Sequence, residues 1–214
     1  MKFHPALEQL HLLQHPFYRD WMEGKLTRAC LQDYARQYFH HVNAFPRYLG
    51  AIHSLGQNAA ERRIVLENLN DEEGLTHGKP HPELWLQFAE GLGAVNGAAP
   101  RSAITNVVDT FFSLARSSFH EGLGALYAYE AQVPEIAASK IEGLRDRYGI
   151  TDPATIAFFE VHREADVHHR AAIEKILNAL PAKEQAEAKA AAEKAALALW
   201  DFLSEVHGRN QLAA

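Results

Sequence analysis

The segment HREADVHHR, residues 162–170, places three side chains that can bind metals at helical spacing. His162, Asp166 and His169 would lie at roughly 0°, 40° and −20° around a helix axis, so they share one face. The apolar side chains on that same face are Phe159, Ile173, Ile176 and Leu177. Because carboxylates and imidazoles are costly to bury without a partner, something must satisfy them. Hydrogen bonds between helices, water or a metal ion would each do so.

A carboxylate also interrupts a second apolar segment, GLGALYAYEAQVPEIAASKIEGL. If residues 119–147 form one helix, Glu130 lies among the apolar side chains of Leu123, Leu126, Ala137, Ile141 and Leu144. Glu130 would then pair with a Lys or Arg from another helix, or bind the same metal as the histidines.

The third unusual stretch is NDEEGLTHGKPHPELW, residues 70–85. His81 opens a predicted helix and shares a side with Trp85, so it is expected to point inward. Either Glu72 or Glu73 closes the preceding helix, and periodicity does not choose between them because apolar residues flank both. The alternative is a solvated acidic helix end with a capping histidine.

These inward-facing residues would form a box of three carboxylates and three imidazoles. The carboxylates carry −3 and two divalent cations carry +4, so the box is nearly neutral when filled and repulsive when empty. Mixed imidazole and carboxylate ligands favour iron or manganese over zinc. The Glu-x-x-His pair of each half of a ferritin-like bundle is missing, which argues against a simple four-helix ferritin relative.

Composition narrows the class of protein. The chain has 214 residues, a net charge of −6 and 47% hydrophobic residues, which predicts one globular domain over residues 1–214. The start MKFHPALEQLH lacks the apolar region of a signal peptide, and no apolar run reaches about 18 residues, so we expect no membrane partner and a cytoplasmic location. Cys30 is alone and is expected to be a small core residue. A pI near 6.1 and the lack of a basic run argue against nucleic acid.

Helical periodicity dominates the chain, and no stretch alternates as a strand would, so the predicted fold class is all-α. Helices are predicted over residues 4–14, 27–56, 58–73, 81–91, 101–117, 119–147, 153–179 and 182–207. Asn58 and Asp152 carry helix-start signals, and Gly208 marks an end. Pro46 and Pro134 are expected to bend their helices rather than end them.

Four motifs occurring in order resemble a known family. They are HPFYRDWMEGKLTRACLQDYARQYFHHVNAFPRYLGAIHS, ENLNDEEG with HPELWLQF, ALYAYEAQVPEIAASKIEGL and FFEVHREADVHH. Together they resemble the haem-oxygenase-like diiron oxidases, in the branch of the chlamydial death-domain-associating protein and its PqqC-like bacterial relatives. The resemblance covers residues 10–207 and implies a compact TenA/PqqC-like bundle of seven or more helices. The ligands that it implies for two divalent metals are Glu72, His81, Glu130, His162, Asp166 and His169.

The resemblance also implies a reaction. This branch is associated with p-aminobenzoate formation for folate, with dioxygen and a tyrosine of the protein itself as the source of the ring. The matching residues are Tyr18 as ring source and Lys140 as amino donor, with Tyr34 and Tyr129 close to the site. The metals would be Fe/Fe or Fe/Mn, an external reductant and an unknown electron donor would be required, and a homodimer is possible.

Other functions remain open at this point. A diiron oxidase of the same fold could act on an external small molecule, and a metal-free oxidase could work as PqqC does. Thiaminase-like relatives need a nucleophilic cysteine deep in the bundle, and Cys30 in an early helix argues against them. A non-enzymatic binding protein would need an exposed apolar stripe, and the sequence offers none that is obvious.

Overall fold

The structure is a computed structural model that describes residues 7–76, 78–95 and 97–213, with side chains except at 164–168 and 213. Within these ranges the chain forms nine α-helices and no strand, which confirms the predicted fold class. The helices are α1 Pro16–Glu23, α2 Arg28–Leu55, α3 Ala59–Glu72, α4 His81–Gly91, α5 Ser102–Ser117, α6 Phe119–Glu130, α7 Val133–Asp146, α8 Pro153–Ala179 and α9 Ala182–Ala213.

The helix starts predicted from cap residues are confirmed. Asn58 accepts a hydrogen bond from the backbone of Glu61, whose side chain bonds back to the Asn58 backbone, so α3 opens with a complete capping box. Asp152 caps α8 directly before Pro153, which needs no hydrogen-bond partner in the first turn. α2 continues through Pro46, as predicted.

The prediction for the amino-terminal region was wrong. In place of a helix over residues 4–14, the described part forms two short 3-10 turns, Glu8–Leu10 and Leu12–Gln14. Helix α1 was not predicted. Its cap is His15, whose Nδ1 accepts a hydrogen bond from the Phe17 amide at 3.0 Å, and histidine is not among the usual cap residues.

The predicted helix over residues 119–147 is two helices, α6 and α7, so Pro134 accompanies a break rather than a bend. Gln132 stabilises this break: its Oε1 accepts from the Leu12 amide at 2.7 Å, and its Nε2 donates to the Ala128 carbonyl at 2.8 Å. Pro134 falls in the first turn of α7, where its missing N–H costs nothing. The single-helix arrangement used to relate Glu130 to later residues therefore does not exist.

The last helix does not end at Gly208 but continues to Ala213. A glycine inside a helix costs about 1 kcal/mol, and tertiary contacts in the same turns compensate for it. Asn210 Oδ1 accepts hydrogen bonds from the backbone and side chain of Thr27 at 3.0 and 2.9 Å, tying the end of α9 to the start of α2. None of the described helices is both long and apolar enough to cross a membrane.

Helix α6 occupies the centre of the bundle. All residues from Gly122 to Glu130 are buried, and α6 contacts α5, α8 and α9. The contact with α9 is close because Gly124 faces the backbone of Ala188, and a Cβ at position 124 would overlap the Ala188 carbonyl. Cys30 is also buried, as expected of a core residue.

We expect Gly124→Ala to destabilise the fold by about 2 kcal/mol or more, because the added methyl group must push α6 away from α9. Thermal unfolding should then shift down by at least about 4 °C. The matched control is Gly50→Ala in α2, where a Cβ meets nothing within 4 Å. This change should stabilise the protein by about 0.5–1 kcal/mol through better helix propensity. Equal effects of the two variants would contradict the α6–α9 contact.

Candidate metal centre

Three helix ends meet the middle of α8 in the interior of the bundle. Glu72 is the last residue of α3, His81 is the first residue of α4, and Glu130 is the last residue of α6. His162 comes from α8, and all four side chains are buried. His169 lies two turns further along α8 and is slightly more exposed.

Glu72, His81 and His162 form a compact group of possible ligands. His81 Nδ1 lies 3.0 Å and His162 Nε2 lies 3.9 Å from Glu72 Oε1. The centroids of the two imidazole rings are 4.4 Å apart. Each residue thus offers one donor atom, and all these atoms lie within 4.8 Å of one another. One ion can contact all three.

The protonation of His162 suits a metal ligand. Its Nδ1 lies 2.7 Å from the carbonyl oxygen of Phe158, one turn earlier in α8. Because a carbonyl only accepts hydrogen bonds, Nδ1 carries the proton and Nε2 keeps its lone pair. Burial, followed by the neighbouring His81, holds the pKa of His162 well below its usual range, so the ring stays neutral. The Nε2 lone pair faces Glu72.

His81 supports the same interpretation. Both of its ring nitrogens are buried, and neither has a hydrogen-bond partner among the described residues. The 3.0 Å contact between Nδ1 and Glu72 Oε1 is close, but it lacks the alignment of a hydrogen bond. Buried polar atoms without partners are rare and call for an explanation. A cation bound between His81 and Glu72 would give these buried atoms the partner that they lack.

A second group lies beside the first, made of Glu130 and His169. His169 Nδ1 is 4.0 Å from Glu130 Oε2. This carboxylate oxygen is buried and accepts no hydrogen bond in the described part of the chain. Helix α3 supports both residues from behind, since Asn68 donates to Glu130 Oε1 and Asp71 Oδ2 lies 2.9 Å from His169 Nε2. The donor atoms therefore form two adjacent groups. The first position for a metal ion would be formed by Glu72, His81 and His162, and the second by Glu130 and His169.

The charges of this region are unfavourable without a cation. Burial, together with the carboxylates of Glu72 and Asp71, raises the pKa of Glu130 to about 8. Burial alone would lower the pKa of His81, but Glu72 and Asp71 outweigh it and the pKa is raised. Glu72 and Glu130 also stand at the negative ends of α3 and α6, where a carboxylate is disfavoured. A bound cation would relieve both effects, so these residues fit a metal.

The structure brings together five of the six ligands implied by the resemblance. Glu72 is buried in the centre whereas Glu73 is exposed, a choice that periodicity left open. The remaining residue, Asp166, lies in α8, but its side chain is outside the described part of the chain. Asn68 and Asp71 were missed. A signal for Asn68 existed, because it precedes Glu72 by one helical turn and so shares its face.

A second cluster joins Tyr18, Tyr34 and Lys140. Lys140 is buried in α7. Its Nζ donates a hydrogen bond to the Tyr34 hydroxyl, which in turn interacts with the hydroxyl of Tyr18. Nζ also lies 5.6 Å from the centroid of the Tyr18 ring. The phenol and the amine are therefore neighbours.

A small cavity connects this cluster with the metal centre. Its lining includes Tyr18, Lys140, Tyr129 and, at the other end, His162. The rest of the wall is aromatic and aliphatic. The volume in which the centre of a water molecule can lie is about 30 Å³. This cavity therefore has room for about two water molecules. A diatomic molecule fits this space, and a free aromatic ring does not.

The surroundings of Lys140 make its amine neutral. Aromatic rings enclose Nζ, with centroids at 4.3 Å for Tyr34, 5.0 Å for Phe159 and 5.5 Å for Trp85. Among the described residues no carboxylate pairs with it. Burial therefore holds the pKa of Lys140 well below its usual range. A neutral amine carries a lone pair and can act as a nucleophile.

Some known proteins resemble this chain in sequence, and others resemble it in fold. The family described as iron-containing redox enzyme, of the haem oxygenase type, matches residues 32–201. A 4-aminobenzoate synthase from Nitrosomonas europaea is 45% identical, over 94% of this chain and 87% of that protein. Another from Chlamydia pneumoniae is 40% identical, over 92% and 90%. A TenA homologue from Pseudomonas syringae superposes with a TM-score of 0.82 at 16% identity, over 97% and 91% of the two chains.

The chain therefore belongs to the haem-oxygenase-like family of iron-containing redox enzymes. This confirms the resemblance found in the four sequence motifs and the fold that it implied.

We expect Lys140→Met to change how stability depends on pH. Because burial lowers the pKa of Lys140 in the folded chain, there is a pH range in which only the unfolded chain binds this proton, so the free energy of unfolding rises with pH across that range. This contribution is about 1.4 kcal/mol per pH unit between the folded and unfolded pKa values. Urea unfolding at pH 7, 8 and 9 should show a flatter dependence in the variant.

The control for this prediction is Lys175→Met, which changes an exposed lysine of α8. It should keep the slope of the unaltered protein. If Lys140→Met also kept that slope, Lys140 would be protonated in the folded protein.

Proposed function

We propose that this protein forms p-aminobenzoate in a dioxygen-dependent reaction at a dinuclear metal centre, using its own Tyr18 and Lys140. The observation that carries the proposal is that Tyr18, Lys140 and His162 line one and the same small cavity. The names of the two relatives described above, both 4-aminobenzoate synthases, support the product.

The residues that would hold the metals are Glu72, His81, Glu130, His162, Asp166 and His169. The unpartnered nitrogens of His81 and the unpartnered Oε2 of Glu130 support this set, since metal ligands need free lone pairs. Two divalent ions there, Fe/Fe or Fe/Mn, would supply the binding and reduction of dioxygen with electrons from an external reductant.

The size of the cavity supports an internal source for the aromatic ring. An external phenol or benzoate needs several times the space of about two water molecules that the cavity offers. Tyr18 already lines this space and is buried, so its ring needs no entry path. The wall also excludes bulk water, which protects a reactive ring from side reactions.

The atoms of the product can be traced to these two residues. p-Aminobenzoate has a six-carbon ring and one further carbon, so the Cα–Cβ bond of Tyr18 would break. Cβ would be oxidised to the carboxylate and Cα would take up a hydrogen, leaving a glycine in the chain. The Lys140 nitrogen would bond to the ring as the phenolic oxygen leaves as water, and hydrolysis of the Nζ–Cε bond would leave Cε as an aldehyde. Dioxygen, reduced to water, would accept the electrons of both oxidations. Tyr34 would hold this amine through the hydrogen bond from Nζ, and Tyr129 would close the cavity wall.

Neutral Lys140 is essential to this chemistry, because a protonated amine has no lone pair to form a carbon–nitrogen bond. Its aromatic surroundings keep it neutral without another base. Burial also raises the pKa of Tyr18 above its usual value, so the phenol keeps its proton until it is oxidised.

We expect the protein produced with iron and manganese to hold about two metal ions per chain, and His162→Ala to hold at most about one. The loss follows because His162 Nε2 is one of three donor atoms of the first position. Metal content is measured by elemental analysis after gel filtration. The control is His53→Ala, in the last turn of α2, which should keep the full content. Folded protein without metal in every variant would contradict the proposal.

We expect the chain that has been supplied with metals, reductant and dioxygen to lose the side chain of Tyr18 and the amino group of Lys140. Peptide mass spectrometry locates both changes, and ring-labelled tyrosine in the protein should yield labelled p-aminobenzoate. Tyr18→Phe and Lys140→Met should form no product, whereas Tyr48→Phe, at a buried tyrosine outside the cavity lining, should.

An intact Tyr18 alongside continued product formation would favour the second candidate, a diiron oxidase acting on an external small molecule. Product formation by metal-free protein would favour a PqqC-like oxidase instead.

A further inference from the structure

Two residues of α3 stand behind the pair of ligands formed by Glu130 and His169. Asn68 is buried and donates a hydrogen bond from Nδ2 to Glu130 Oε1. Asp71 follows three residues later, so it lies on nearly the same face of the helix. Its Oδ2 is 2.9 Å from His169 Nε2.

From these contacts we infer that Asn68 and Asp71 are positioning residues for one of the two metal positions, the one formed by Glu130 and His169. The inference rests on the dinuclear centre proposed above and assigns its supporting residues. Asn68 would act through Glu130 and Asp71 through His169, whereas His162 is held by the Phe158 carbonyl instead.

The role of Asp71 follows from the two nitrogens of an imidazole ring. A carboxylate accepts hydrogen bonds, so Asp71 holds the proton of His169 on Nε2. The unprotonated nitrogen is then Nδ1, which is the atom that faces Glu130 Oε2 at 4.0 Å. Asp71 thus fixes both the tautomer and the orientation of the ring. Such carboxylate–histidine pairs raise the basicity of the ligating nitrogen.

The role of Asn68 follows from the two oxygens of a carboxylate. Its amide occupies Oε1 of Glu130, so the carboxylate cannot rotate, and Oε2 is left buried without a hydrogen bond. That oxygen is the one that faces His169. Asn68 is neutral, so it orients Glu130 without competing with a cation for its charge.

The ligands of the first position, Glu72, His81 and His162, are oriented by a different contact. The backbone carbonyl of Phe158 fixes the tautomer of His162 from within α8 itself. Loss of Asn68 or Asp71 therefore leaves Glu72, His81 and His162 with their own contacts. The structure thus separates the supports of the two positions.

The test is a titration of the metal-free protein with Mn²⁺, following binding and the magnetic coupling between the two ions by electron paramagnetic resonance. The unaltered chain should bind two ions and show coupling. Asp71→Ala and Asn68→Ala should each weaken binding of one ion by about 10- to 100-fold and leave the other unchanged. Coupling should be lost when only the tight position is filled.

Two further variants test whether Asp71 acts by positioning His169 or only through its negative charge. Asp71→Asn keeps an acceptor for His169 Nε2 and should bind the second ion better than Asp71→Ala. Glu67 is exposed and lines the same surface cavity of about 300 Å³ as Asp71 and His169. Glu67→Gln removes its charge and should leave the affinity for both metal ions unchanged. Circular dichroism and thermal unfolding identify any variant that fails to fold.

The double variant His162→Ala with Asp71→Ala completes the design. If the two residues support different positions, the double variant should bind neither ion tightly, whereas each single variant retains one.

Each contrary outcome has a distinct meaning. An unaltered protein that binds no metal would overturn the proposed dinuclear centre, and this inference with it. Two ions in the unaltered chain, with equal affinities in Asp71→Ala and Asn68→Ala, would overturn only the inference. So would a Glu67→Gln variant as weak as Asp71→Ala, or loss of both ions from either single variant.

Discussion

The structure depends on the burial of two carboxylates, Glu72 and Glu130, in a core that gives them little compensation. Each closes a helix, so each faces the negative end of its own dipole as well as the other's charge. Asn68 offers one neutral hydrogen bond, and burial holds the pKa values of His162 and His169 below their usual range. Divalent cations would balance this arrangement, and the placement of α3, α4, α6 and α8 follows from the need to bring these side chains to one point.

The two sides of this centre differ in their physical character. On one side a surface cavity of about 300 Å³ reaches His169 and Asp71, and its wall also includes Glu67, Asn70 and Thr76. On the other side a small aromatic cavity joins His162 to Tyr18 and Lys140. Burial on this second side lowers the pKa of Lys140, and the cavity there has room for about two water molecules. A reaction that uses side chains as reactants needs such an enclosed space, because the reactants cannot exchange with solvent.

The break between α6 and α7 allows Glu130 to reach the metal centre and Lys140 to reach the aromatic cavity. Because α6 ends at Glu130, its last side chain reaches the metal centre, and α7 is free to run in another direction. Lys140 can then project into the aromatic cavity, beside α1 and α2. A continuous helix would have fixed the angle between Glu130 and Lys140 at the value set by helical periodicity. Gln132 stabilises the break by bonding to both neighbouring segments.

The sequence by itself determined the all-α class, the starts of α3, α4 and α8, and the presence of acids and histidines on apolar faces. Periodicity and capping act over a few residues, so local patterns suffice for these features. Periodicity left Glu72 and Glu73 open, the family resemblance selected Glu72, and the tertiary structure shows Glu72 buried. The tertiary structure alone decided that Lys140 is buried and that α6 ends before α7. It also brought Asn68 and Asp71 behind the ligands of two other helices. These features depend on contacts between residues far apart in the chain, and a one-dimensional pattern carries no distance between helices.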